Sequence, residues 1–413
     1  MKVLFVAGVV RAPFVGPIDR LVQEGHDIAI LLEEEAIADS LYPDLQQTCE
    51  VVELFAGKQN KFQRVRTLLG QTAIRAVTTP RSLWKLGKNL QFDGLKSIVV
   101  RASLLAGYLK ALDKLGTSYD IIHTRDGGLS VRIAQLQAAG LIKGEHVASF
   151  HGIDLMGYSA QECRERYRLL FETAAALTVQ TEFMRELILE AGAPADRVHV
   201  VPSAVEVNAL SWTGPNKYKN GDILRLVSVG RLIPLKAHSD LIHAVALLRE
   251  NNVSATLDVY GDGPQKDALQ REIISLNLQD AVLLHGAKPY LEVIAHVRTA
   301  HIFVHTPKTI NDRKTEAMGL VTLEAQLIGL PCVVSRSGGV PETVLEKVSA
   351  ELVPEASPRA IADAIISLID RQEYWETNAR KGRNFVIANF SVERVVADYK
   401  KIYMRALARQ FSI

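Results

Sequence analysis

Two carboxylates, Glu316 and Glu324, flank an apolar turn in the stretch Glu316-Ala317-Met318-Gly319-Leu320-Val321-Thr322-Leu323-Glu324. Taken alone, such a pair suits general acid–base chemistry, or it is simply two solvated acids. Eight helical residues would rotate the second carboxylate about 80° from the first. A shared site therefore needs Glu316 in a loop folded back over the start of a helix that carries Glu324. Residues 321–328 read as that helix, because Gly329 stands where a left-handed C cap belongs and Pro331 stops the chain before the strand at 332–335. The amides of Gly319, Leu320 and Val321 would be free at its start and would suit phosphate or sugar oxygens. Arg231 and Lys236 follow Gly230 at another predicted strand end. A guanidinium there can grip two oxygens and an ammonium supplies a point charge, although ordinary surface cations give the same letters. His151, followed by Gly152, stands directly after a strand at the mouth of a sheet, as a reactive-centre group or as a satisfied structural histidine.

The elements that must position these groups alternate between short apolar runs and amphipathic segments, the pattern of an α/β chain with parallel sheets. A strand at 3–7, a glycine-containing loop at 8–16 and a proline-opened helix at 17–24 begin a βαβ unit. Gly16 ends that loop at the carboxyl edge of the sheet, where it would allow a ligand close to the backbone or merely complete a tight connection. Residues 1–205 form a first domain by this reading and 206–222 a linker rich in Gly, Pro, Asn and Lys. A second domain spans 223–385, and the final segment, 386–413, is helical and able to pack back on the first domain. In the second domain Gly261-Asp262-Gly263-Pro264 closes a strand with too little glycine, and no suitably placed lysine, for a Walker-type phosphate loop. Ser337-Gly338-Gly339-Val340-Pro341-Glu342 forms a turn at the same sheet edge.

The chain's 413 residues, 48% hydrophobic and 23% charged, fit two globular domains. Lys plus Arg (48) nearly balance Asp plus Glu (46), so net charge gives no reason to expect nucleic acid as a partner. Cys49, Cys163 and Cys332 have neither metal nor redox spacing, which fits a reducing cytoplasm. No Asp is followed two positions later by another Asp, which argues against a metal-carboxylate pair, and no metal is expected. Residues 58–114 carry twelve basic side chains against Asp93 and Asp113, interleaved with Phe62, Trp84 and Phe92. This suits amphipathic helices on an anionic membrane surface, or a solvated face balanced elsewhere in the fold. No stretch is long and apolar enough for a membrane span.

His151-Gly152, Gly230-Arg231 with Lys236, Gly261-Asp262-Gly263-Pro264, Glu316 with Glu324, and Gly338-Gly339-Val340-Pro341-Glu342 resemble, in order and spacing, glycosyltransferase family four, and within it bacterial transferases for capsular and colanic-type exopolysaccharides. The resemblance implies GT-B architecture, two Rossmann-like doubly wound domains facing a cleft, and retaining, metal-independent transfer from a nucleotide sugar without a cofactor. It implies that Arg231 and Lys236 hold the donor diphosphate, Glu324 accepts from the ribose hydroxyls and Glu316 lies near the donor sugar. Gly16, Gly230, Gly261 and the amides at Gly319, Leu320 and Val321 would line the donor, with His151 near the reacting centre. The turn Ser203-Ala204-Val205-Glu206 departs from the family's usual Asn-Gly-Val-Asp, and the first loop lacks its paired glycines. The implied donor is a UDP-sugar such as UDP-glucose, and the acceptor a lipid-linked oligosaccharide at the inner face of the plasma membrane. Alternatives are a synthase or phosphorylase making a soluble disaccharide, and a catalytically silent binding module.

Overall fold

The computed structural model describes residues 1–8, 12–33, 48–54, 107–219 and 221–409. The basic segment 58–114 therefore lies outside the described residues except for 107–114. Two compact units emerge. The first contains Met1–Gln180, Arg185–Ala204 and Val395–Ile413, and the second Thr181–Met184 and Val205–Arg394.

Among the described residues, seven parallel strands build the first unit: β1 (Lys2–Ala7), β2 (Asp27–Leu32), β3 (Glu50–Glu53), β4 (Ser118–Thr124), β5 (Lys143–Ser149), β6 (Ala176–Val179) and β7 (Val198–Val200). Their order is β3-β2-β1-β4-β5-β6-β7. β1 reads as a continuous apolar run because both faces are covered, and Val3 to Ala7 are all but inaccessible to water. The order reverses between β1 and β4, and ligands of open α/β sheets bind beyond the carboxyl ends of the strands at such a point.

The helix after β1 spans Ala12–Gln23 and holds Pro17 in its interior. It thus starts earlier than a proline-opened helix at 17–24, and Gly16 lies buried inside it rather than in the preceding loop. The ring's fixed φ is helical, so Pro17 forfeits one early intrahelical bond while the apolar face, with Val15, Ile18 and Leu21 buried, keeps the helix in place. The last helix, Val392–Arg409, supplies Tyr399 and Tyr403 to this unit. Tyr403 Oη lies 2.6 Å from His123 Nδ1 on β4, and the Tyr399 ring meets that histidine edge-on at 4.7 Å.

Six parallel strands build the second unit: β8 (Leu224–Val229), β9 (Ala255–Tyr260), β10 (Val282–Gly286), β11 (Ile302–His305), β12 (Cys332–Ser335) and β13 (Ala350–Val353). Their order, β10-β9-β8-β11-β12-β13, reverses between β8 and β11. Leu226, Leu257, Ile302 and Val333 from this sheet share one core with Leu241, Val245 and Leu248 of the helix His238–Glu250. On another face, Phe303 and Val334 pack with Leu323 and Leu327 of the helix Leu320–Ile328 and with Val293 and Ile294 of the helix Tyr290–Val297.

The turn at Gly261 fixes the chain leaving β8. Gly261 has φ +141°, and a Cβ there would lie 1.9 Å from the carbonyl oxygen of Gly230. Leu232 donates its amide to the Asp262 carbonyl at 3.0 Å and accepts from the Gln265 amide at 3.0 Å, which clamps Arg231 between two bonded neighbours. Gly261→Ala is expected to cost about 2–4 kcal/mol, through steric overlap and a left-handed backbone together. Thermal unfolding of the purified variant measures this, and an unchanged midpoint would show that the turn has slack.

Candidate functional site

The carboxyl ends of β8 and β11 bring together most of the residues marked out in the sequence. Gly230-Arg231 leaves β8, and a short 3-10 turn, Pro234–Lys236, returns the chain to the helix His238–Glu250. Ala237 takes the left-handed conformation between them (φ 53°), and the reversal sends the Lys236 side chain to Glu316. Lys236 Nζ lies 2.5 Å from Glu316 Oε2, and each side chain is 15% exposed. Arg231 is exposed and has no acidic partner among the described residues.

Glu316 occupies the loop between β11 and the helix Leu320–Ile328, as folding the two carboxylates toward one site requires. Its carbonyl accepts from the Gly339 amide at 3.0 Å, while Thr315 and Ser337 join hydroxyls at 2.6 Å. The Ser337-Gly338-Gly339 turn is thus a clamp on the Glu316 loop. The helix begins at Leu320 after Gly319 in the left-handed region (φ 85°), and the amides of Gly319, Leu320 and Val321 have no acceptor among the described residues. Three open amides, an exposed guanidinium and an ammonium thus follow the carboxyl ends of β8 and β11, and groups of these kinds suit an anion with several oxygens.

Glu324 lies in the second turn of the same helix, partly buried. Tyr290 Oη, from the start of the helix Tyr290–Val297, donates to Glu324 Oε1 at 3.2 Å. Burial raises the Glu324 carboxyl from its ordinary 4.5 to about 7, against the lowering effect of the Tyr290 hydrogen bond. Next to the Glu316 loop, His305 ends β11 and is almost wholly buried, with Nε2 3.9 Å from Glu316 Oε2. Burial, with help from the nearby Lys236 charge and from His238, holds its imidazole well below the usual range, so it is neutral. Tyr290 and His305 were not marked as site residues in the sequence. His305 had a signal, since it is the last residue of a strand at the switch point, whereas Tyr290 looks like any helix-opening aromatic.

Gly16 and His151 belong to the first unit, while Gly230, Arg231, Lys236, Gly261, Glu316, Gly319, Leu320, Val321 and Glu324 belong to the second. His151 follows β5 and precedes the helix Gly152–Met156, its amide bonded to Asp154 Oδ2 at 2.8 Å. It lines a pocket with Arg125, Gln180, Ser203, Pro17 and Tyr399 beyond the carboxyl ends of β4 to β7. In the pocket's lining, Ser149 Oγ contacts His123 Nε2 at 2.7 Å and Thr178 Oγ1 at 2.6 Å. Burial and the Arg125 charge lower the His151 ring to about 4, against a hydrogen bond with Gln180. His151 is therefore neutral at pH 7 and able to accept a proton or donate a neutral hydrogen bond. Among the described residues no helix is long and apolar enough to cross a membrane, and no three His, Cys, Asp or Glu side chains gather as a metal-binding group.

Two Rossmann-like units of this topology define the class of GT-B glycosyltransferases. The Anabaena protein Alr3699/HepE, solved in complex with UDP and glucose, has a similar fold, with a TM-score of 0.69 at 18% identity over 97% of this chain and 98% of that one. The model "Glycosyl transferases group 1" matches residues 215–385, and "Glycosyl transferase 4-like domain" matches residues 18–204. Both models describe glycosyltransferase domains, and between them they cover most of this chain. It is 27% identical to the amylovoran biosynthesis glycosyltransferase AmsK of Erwinia amylovora over 65% of each chain. It is also 29% identical to the putative colanic acid biosynthesis glycosyltransferase WcaL of Escherichia coli K12, over 62% of this chain and 63% of that one. The matched region thus spans just under two thirds of either relative.

The raised Glu324 carboxyl has a measurable consequence. The folded protein holds this proton up to about pH 7 and the unfolded chain only to about 4.5, so the group's contribution to stability is complete below pH 4.5 and is lost as pH rises toward 7. Subtracting the unfolding free energy of Glu324→Gln from that of wild type between pH 4.5 and 7.5 is expected to show this decline, and a flat difference would place the carboxyl in water.

Proposed function

We propose that the protein is a retaining, metal-independent glycosyltransferase that moves a sugar from a nucleotide sugar to a lipid-linked oligosaccharide during polysaccharide assembly. The observation that carries the reading is Arg231, an exposed guanidinium with no acidic partner among the described residues, held at a switch point beside Lys236 and the three open helix amides. A diphosphate leaving group carries two or more negative charges, and fixed cations and amide dipoles stabilise that charge as it develops. In this role Arg231 and Lys236 grip the diphosphate, and the amides of Gly319, Leu320 and Val321 reach the sugar or phosphate oxygens. Gly230 and Gly261 keep the backbone close to the diphosphate. Glu324 accepts from the ribose hydroxyls, with Tyr290 fixing its carboxylate. Glu316 stabilises positive charge at the anomeric carbon, and neutral His151 serves the acceptor side together with the helix containing Gly16.

UDP-sugars, UDP-glucose first, are the donors favoured by likeness to the UDP-bound Anabaena protein. Likeness to the amylovoran and colanic acid transferases supports an exopolysaccharide pathway and hence a lipid-linked acceptor. The basic segment 58–114 would then hold the protein on the anionic inner face of the plasma membrane, which salt-sensitive binding to anionic vesicles tests; no binding removes that part of the proposal.

Incubation with a panel of UDP-, GDP- and ADP-sugars is expected to give binding and slow hydrolysis of one donor. Lys236→Ala should lower that turnover by about 10²–10³-fold, as loss of one fixed transition-state contact does. A protein that touches none of the panel, or a Lys236→Ala variant with undiminished turnover, contradicts the assignment.

A further inference from the structure

The pair of Lys236 with Glu316 creates a question for the role just proposed. If Lys236 turns to a diphosphate, the Glu316 carboxylate loses its closest partner while remaining only 15% exposed. A largely buried carboxylate without a hydrogen-bond donor is strongly disfavoured. The loop that carries it cannot readily follow Lys236, because Gly339 and Ser337 clamp its backbone and the neighbouring Thr315.

Among the described residues, one buried group beside that carboxylate is placed to take over. We propose that His305 is a positioning residue for Glu316, donating its Nε2–H to the carboxylate when Lys236 engages the donor's diphosphate. The proposal rests on the glycosyltransferase reading above.

Three observations support it. His305 Nε2 is sealed from solvent and has no hydrogen-bond partner, and buried ring nitrogens are seldom left so. It points toward the same oxygen that Lys236 holds, Glu316 Oε2, at 3.9 Å, and a movement of about 1 Å would bring the two into hydrogen-bond range. The ring is also fixed in place. A Cβ at Gly319 would lie 3.3 Å from both its Cδ2 and its Nε2, so the glycine that opens the helix leaves room for the imidazole and little more. Being neutral, the ring can exchange one hydrogen bond for another without adding charge to a site that must bind an anion and develop positive charge on the sugar. Lys236 supplies the mobile partner, on a four-carbon stem, and His305 the stationary one.

The test compares variants on the nucleotide sugar that the wild type consumes, with UDP as the binding probe. His305→Leu and His305→Phe remove the donor and keep an apolar side chain, whereas His305→Gln retains an N–H. Circular dichroism confirms the fold of each. The apolar variants are expected to bind UDP about 10- to 100-fold more weakly, because drawing Lys236 to the diphosphate then leaves the Glu316 carboxylate without a donor, and to lose kcat on a similar scale as that carboxylate is displaced from the sugar. His305→Gln should recover part of that loss. In a Glu316→Gln background, His305→Leu should add little. Wild-type kcat in the apolar variants, equal losses in Leu and Gln variants, or a full additional loss in the Glu316→Gln background would overturn the proposal. So would failure of both apolar variants to fold, which would assign the ring to the core. A wild type that consumes no nucleotide sugar removes the glycosyltransferase reading and this inference with it, an outcome separate from all of these.

Discussion

The contact between Lys236 and Glu316 is the constraint around which the second unit's site is arranged. Two opposite charges at 2.5 Å, both mostly shielded from water, hold the turn after β8 and the loop after β11 to each other. Breaking a buried pair by removing one partner costs about 3–5 kcal/mol. An anion that draws Lys236 away must therefore bring compensating contacts, for which the proposed reading offers the open amides at Gly319 to Val321 and Arg231, which has no acidic partner among the described residues. On the proposed reading, a monoanion reaching only Lys236 would gain too little to compete with Glu316. A diphosphate, which engages several donors at once, gains more.

The supports of that contact are mostly backbone. Gly261 lies against Gly230 so closely that no side chain fits, and the Leu232 amide and carbonyl are both bonded across the turn. The Glu316 loop is fastened in the same manner to the turn that follows β12. Motifs that look like ligand-binding letters in the sequence are therefore in part packing devices, and their effect on a ligand runs through the position of Arg231 and Glu316. In the first unit, the helix Val392–Arg409 does comparable work with side chains: Tyr403 bonds buried His123, which in turn holds Ser149 in the lining of the pocket of His151.

Much of this was legible in the sequence where local rules and burial agree. β1, β8, β9, β11 and β12 are apolar runs bounded by turn residues, and the helix ending at Ile328 stops at a left-handed glycine (φ 111°). The misses have physical causes. β3 and β13 are short edge strands whose pairing with β2 and β12, at the margins of their sheets, creates them. The helix Ala160–Thr173 is so charged that its narrow apolar stripe, Cys163, Tyr167, Leu170 and Phe171, is easily overlooked despite the Ser159–Glu162 capping box. The helix Trp375–Phe390 buries Ala379 and Gly382, small residues that carry little hydrophobic signal. Within the site, residue types revealed the cations and carboxylates, but the Lys236–Glu316 pair, separated by 80 positions, depends on strands 8 and 11 lying side by side. The Tyr290–Glu324 contact likewise arises only from two helices packing on one face of the sheet.

The central claim is that fixed side chains and amides, with Arg231 foremost, hold a nucleoside diphosphate without help from a metal. Calorimetric titration of UDP into the protein in excess EDTA tests it most directly, with wild type and Arg231→Ala measured side by side. The account predicts binding by the wild type and a loss of about 10- to 100-fold in affinity for Arg231→Ala, the scale of charge-assisted hydrogen bonds. Absence of binding, binding that appears only when a divalent cation is added, or equal affinity in the two proteins would contradict it.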